Sequence, residues 1–259
     1  MDSKVKKFIS YTYLFSWNFW LFLSIAANQF DVQYGEPLYL FLFILGGLGP
    51  FYVAFIIYNP KNELRRYKNL KRRILKWKVN IRWYFWVFTI PFFLFLLPWV
   101  ISTFYFKNNL PLFTNNIDNI FYLLLINIVL GGLEEVGWRG VLLPELFKKH
   151  NKITATVTTS IVLTFWHLPL WFIAYSPQKD VDFLFFLILG LSFSFQFTII
   201  YLKTKSIFLC ILMHSIFNTY PAVITFLAER SYLYVGIILL FSFILFMIIY
   251  PKDLRLTRK

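Results

Sequence analysis

The sequence predicts an all-α fold, a polytopic membrane bundle of about eight transmembrane helices forming one domain over residues 1–259. Three observations predict it. The chain is 59% hydrophobic and 22% aromatic, with a mean hydropathy of +0.62. That is more apolar surface than one soluble core of this size can hide. Its charges are segregated, so that long apolar runs alternate with short polar clusters. Lys and Arg crowd alternate connections, as the positive-inside rule requires.

The apolar segments are 8–27, 38–58, 83–106, 120–143, 153–175, 183–202, 206–227 and 232–250. Each lies near the roughly 20 residues a helix needs to cross the hydrocarbon core. Lipid offers no partners for backbone groups, so each is read as a helix. The first follows Lys4, Lys6 and Lys7 and is long enough to span. Ala26-Ala27-Asn28 is a weak cleavage signal, so this segment is read as a retained helix rather than a signal peptide. The single Cys210 lies inside an apolar run and offers no disulfide framework.

Orientation follows from the basic residues. With both termini cytoplasmic, one side receives Lys4, Lys6, Lys7, the loop 61–82, Lys148, Lys149, Lys152, Lys203, Lys205, Lys252, Arg255, Arg258 and Lys259. The other receives Lys107, Lys179 and Arg230. The reading is a multi-pass protein of the cell membrane, in a bacterium if the bias toward Phe, Ile, Lys and Asn reflects an AT-rich genome. The net charge of +14 is concentrated in the loop 61–82. This placement suits topology and anionic lipids as partners, not nucleic acid. The stretch 60–82 reads either as an amphipathic basic helix on the membrane surface or as a charged loop.

Polar groups inside the apolar segments carry the functional argument. Each ionisable group at membrane depth costs roughly 2.5–3.5 kcal/mol on insertion scales. Glu134, Glu135 and Arg139 stand together near the end of the fourth segment. On a helix Glu135 and Arg139 are one turn apart and can neutralise each other. Glu134 lies about 100° around the axis, with no such partner in its own helix. It is the candidate general base. His167 lies in the outer half of the fifth segment, in tension with a site open only to the cytoplasm. His214 and Asn218, again one turn apart, lie in the seventh. These residues can tie helices together. Together they can also activate water and stabilise an oxyanion, or hold a divalent metal such as zinc through Glu134, His167 and His214. The spacing is not the two-histidine, one-turn metalloprotease motif.

Glu134-Glu135-Val136-Gly137-Trp138-Arg139 matches the Glu-Glu-x-x-x-Arg motif of the CPBP family, the CAAX-protease and bacteriocin-processing (ABI) intramembrane proteases, and the chain resembles that family over residues 119–230. His214-Ser215-Ile216-Phe217-Asn218 matches its His-x-x-x-Asn motif. His167 fits the Phe-x-x-x-His motif, with Leu163 where Phe is usual. The resemblance implies eight helices and an endopeptidase of membrane-associated peptides or proteins. It implies Glu134 as the base that activates water, assisted by His167. His214 and Asn218 would stabilise the oxyanion, and Glu135 and Arg139 would support the site. Accounts of the family divide between a metal-bound and a metal-free glutamate mechanism. Two other classes stand beside the protease: a non-proteolytic protein for bacteriocin self-immunity or scaffolding, and a small transporter. No internal repeat supports the transporter.

Overall fold

A computed structural model describes residues 3–104, 107, 111–225 and 232–250. Arg230, Lys252, Arg255, Arg258, Lys259 and the far ends of the third and seventh predicted segments lie outside the described residues. Every predicted segment is helical within them, and the only strand-like feature among them is an isolated bridge between Phe113 and Ile224.

The first helix, α1, runs Ser3–Phe30. Its 28 residues extend about 42 Å at 1.5 Å per residue, enough to cross. The second segment is two helices, α2 (Pro37–Gly47) and α3 (Gly49–Ile57), hinged at Leu48. Pro50 causes the break, because proline fits the first turn of a helix but not its interior. The basic loop folds as α4, Pro60–Ile74, with the Asn59 side chain accepting from the Lys61 N–H as its cap. Of the stretch 60–82, Pro60–Ile74 is helical with a kink at Glu63, and residues 75–80 are not. Helix α5 is Ile81–Phe104 and α6 is Ile120–Leu130.

The fourth segment then departs from a regular helix. A 3-10 turn (Gly132–Glu134), the single turn α7 (Glu135–Gly137), a π turn (Trp138–Leu142) and the short α8 (Leu143–Leu146) replace it. The remaining helices are α9 (Lys152–Trp166), α10 (Phe183–Thr204), α11 (Ile207–Val223) and α12 (Tyr232–Ile249). Asn151, Asp182 and Ser206 cap three of these, each accepting from the N–H three residues on.

Helix α10 packs on α9 and α12, α11 packs on α5 and α6, and α1 packs on α2 and α3. Five stretches among the described residues are long and apolar enough to cross a membrane: Pro37–Ile57, Ile81–Ile101, Asn115–Leu146, Lys152–Phe172 and Phe183–Thr204. Two shorter apolar helices, Ile207–Val223 and Tyr234–Ile249, accompany them. Leu21, Phe22, Phe85, Phe121 and Ile248 point outward and are exposed. An apolar surface of that kind belongs in lipid. The chain is a multi-pass membrane protein.

The basic connections gather at one end of the bundle. Lys4 pairs with Glu63, Arg66 and Lys148 both pair with Glu145, and Lys76 Nζ donates to the Thr204 carbonyl at 2.6 Å. At the other end Asn28 donates to the Phe172 carbonyl at 2.8 Å, Tyr175 donates to Asp31, and Thr114 donates to the Ala222 carbonyl at 2.7 Å.

Candidate active site

The site begins where α6 stops. Gly131 has an extended φ of −166°, and the chain re-enters helical geometry only at the following 3-10 turn. Packing explains why glycines stand here. A Cβ on Gly131 would lie 2.3 Å from Asn218 Nδ2 and 3.0 Å from His214 Nε2. One on Gly132 would lie 2.7 Å from Ser215 Oγ. The missing side chains let the motif segment close onto α11.

Glu134 is 5% exposed, Glu135 is fully buried and Arg139 is 1% exposed. Arg139 Nη1 lies 3.1 Å from both Glu135 oxygens and donates to Oε1, so the predicted ion pair one turn apart is formed. The pair is part of something larger. Glu135 Oε1 also accepts from His214 Nδ1 at 2.9 Å, and Arg139 Nη2 donates to Ser194 Oγ of α10 at 3.0 Å. Arg139 further stacks its guanidinium over Phe197, 4.6 Å from the ring centroid. The Glu135–Arg139 unit is thus a bracket joining the motif segment, α10 and α11, and it fixes the His214 ring.

Glu134 requires one correction. It does have a partner in its own segment, because Trp138 Nε1 donates to its Oε2 at 3.3 Å. The two residues are one turn apart, and the mixed 3-10 and α geometry keeps them adjacent. Trp138 donates from a neutral indole, so the carboxylate is oriented but its charge is not neutralised there.

His167 sits at the C-cap of α9, which ends at Trp166, well short of the predicted 175. A 3-10 turn, Leu168–Phe172, carries the chain onward. Trp17 Nε1, midway along α1, donates to the Trp166 carbonyl at 2.9 Å, and the His167 ring lies 6.3 Å from that of Trp20. The predicted continuous helix to residue 175 is corrected, and His167 stands at the break beside the middle of α1. Its Nδ1 bonds the Leu163 carbonyl at 2.9 Å. A carbonyl only accepts, so Nδ1 carries the proton and Nε2 keeps a lone pair. The contact uses backbone, so the Leu in place of the usual Phe leaves it intact.

One cavity of about 480 Å³ is bordered by Glu134, Glu135, Arg139, His167, His214 and Asn218. The structure thus brings every predicted site residue to one place. Trp20, Phe43, Phe95, Phe186 and Phe193 complete much of its wall. Asn218 is exposed to this space, and among the described residues its amide has no hydrogen-bond partner. Two contributors were not found from sequence. Trp138 could have been, since it stands four residues after Glu134. Ser194 carries no local signal and is identified only by its contact with Arg139.

Among the described residues no three His, Cys, Asp or Glu side chains converge closely enough to hold an ion. Glu134, His167 and His214 border the cavity without forming a ready three-ligand set.

Residues 116–220 match the family described as type II CAAX prenyl endopeptidase Rce1-like, and that stretch contains Glu134, His167, His214 and Asn218. CAAX prenyl protease 2 of Methanococcus maripaludis is 26% identical over 245 residues, covering 85% of each chain. Over that stretch the chain is similar to CAAX proteases, in line with its resemblance to the CPBP family. That likeness supports a peptidase set in a membrane.

Proposed function

We propose that this protein is an intramembrane endopeptidase in which Glu134 activates the attacking water and His214 with Asn218 receives the oxyanion. The observation that carries the reading is the division of labour between adjacent carboxylates. Glu135 is held by two cationic or histidine partners, Arg139 and His214, whereas Glu134 borders the cavity with only a neutral indole on one oxygen. The free oxygen of Glu134 takes a proton from water while that water attacks the scissile carbonyl carbon. His167 Nε2 accepts the second water hydrogen and orients the nucleophile. Asn218 Nδ2 donates to the oxygen on which charge develops. His214 Nε2 donates beside it when the ring carries both protons, a charge that Glu135 balances. Collapse of the tetrahedral intermediate breaks the C–N bond, and Glu134 returns its proton to the leaving amine.

The substrate class is a membrane-anchored peptide or protein. The aromatic wall of the cavity suits an apolar segment beside the scissile bond. Both termini and the basic end are cytoplasmic in this reading, with anionic lipids around the loop 61–82.

The test is single-turnover cleavage of a membrane-anchored reporter peptide by the purified chain in vesicles. Glu134→Gln should lower the rate about 10²–10⁴-fold, the usual contribution of a positioned base. Full activity in that variant overturns the base assignment and favours a scaffolding or immunity role. Chelation should leave wild-type turnover unchanged. A loss restored by zinc would replace glutamate-activated water with metal-held water.

A further inference from the structure

A second concavity, of about 750 Å³, opens at the basic end, away from the active-site cavity. Arg66, Arg72, Arg73 and Lys76 come from α4 and its exit, Lys148 follows α8, and Lys205 lies in the turn between α10 and α11. Among the described residues the only carboxylate lining it is Glu145. That group is already committed, accepting from Tyr58 at 2.7 Å and pairing with Arg66 and Lys148.

The other four cations have neutral partners. Arg73 is 8% exposed and donates to Tyr201 Oη at 2.5 Å, the Gly140 carbonyl at 3.0 Å and the Asn69 carbonyl at 3.4 Å. Arg72 donates to Asn69 Oδ1, and Lys76 to the Thr204 carbonyl. Lys205 lies over the Tyr201 ring in the left-handed conformation, φ 53°. A non-glycine residue is held there only when its surroundings enforce it. Burial, then the charges of Arg73, Lys152 and Lys76, hold the Lys205 ammonium below the usual lysine range. Arg73 is nearly buried while Arg72 and Lys205 reach solvent, and cations crowded in this way without a counter-charge among the described residues favour an anion joining them.

We propose that this pocket binds a phosphate-bearing anion, presented by an anionic phospholipid headgroup at the membrane surface. Arg73 would orient it through a fixed guanidinium, and Lys76, Arg72 and Lys205 would close around its oxygens. The site differs from general attraction of the basic loop to lipid, because Arg65 and Lys68 on α4 are exposed and do not line it.

The test is native mass spectrometry of the full chain, titrated separately with phosphatidylglycerol, phosphatidylcholine and inorganic phosphate. The expected result is one retained phosphatidylglycerol, with retention about thirtyfold weaker in the Lys76→Gln/Lys205→Gln double variant. The Arg65→Gln/Lys68→Gln control should change it less than about threefold. Pocket-dependent competition by inorganic phosphate alone would still support the anion site but assign it to free phosphate. Equal weakening in both double variants, or phosphatidylcholine retained as well as phosphatidylglycerol, overturns the proposal.

Discussion

The active-site cavity and the basic pocket both bury charge, but they balance it in opposite ways. In the cavity Glu135 is shared by Arg139 and His214, and the bracket is closed within the protein. In the pocket Arg73, Lys76 and Lys205 rest on hydroxyls, carbonyls and a ring. The deep site has no ready source of counter-ions, so its scaffold must neutralise itself and leave a single carboxylate over for chemistry. The pocket lies at the basic end of the bundle, open to anions from outside the protein, and can remain unbalanced. Arg73 joins the two regions, because its hydrogen bond to Gly140 ends in the π turn that carries Arg139.

The largest stability effect should come from opening the closed bracket. Arg139→Met leaves Glu135 buried with one partner fewer, and losses of this kind cost about 3–5 kcal/mol. Unfolding in mild detergent should register it, and an unchanged midpoint would mean the bracket is not what holds the motif segment. Asn218→Ala touches no internal hydrogen bond, so stability should stay level. Its cleavage rate should fall about 10²–10³-fold, the usual effect of losing an oxyanion donor. A change in substrate affinity with the rate intact would make it a binding residue instead. The smallest effect belongs to the basic end. A hydrogen bond from Lys4 holds the Glu63 carboxyl below its usual range, partly offset by desolvation and aided by Arg66. A lowered carboxylate pKa stabilises above the unfolded-state value and is lost as pH falls through the folded one. Glu63→Gln should therefore cost less than about 1 kcal/mol near neutral pH and nothing in acid. A constant difference across pH would remove the ion pair as its cause.

The sequence was most legible where physics is local. Apolar length and charge segregation place the apolar helical segments, because lipid leaves the backbone no alternative. The spacing of Glu135 and Arg139 gives their pairing. The irregular features were less legible. Gly131-Gly132 is visible as a weak point, but the break there is set by Asn218 and Ser215 on a distant helix. The position of His167 at a helix end follows from α9 stopping at Trp166, inside a run that stays apolar beyond it. The hold of Glu135 on His214 spans 79 residues and has no local signature. Hydropathy reports which segments enter the membrane, and packing decides where they stop.

The central claim is that adjacent carboxylates have separate tasks, Glu134 in chemistry and Glu135 in structure. Paired measurement of cleavage rate and unfolding midpoint for Glu134→Gln and Glu135→Gln tests it most directly. The account predicts that Glu134→Gln loses cleavage with an unchanged midpoint, while Glu135→Gln lowers the midpoint. Cleavage retained in Glu134→Gln, or a midpoint that falls equally in both, would contradict it.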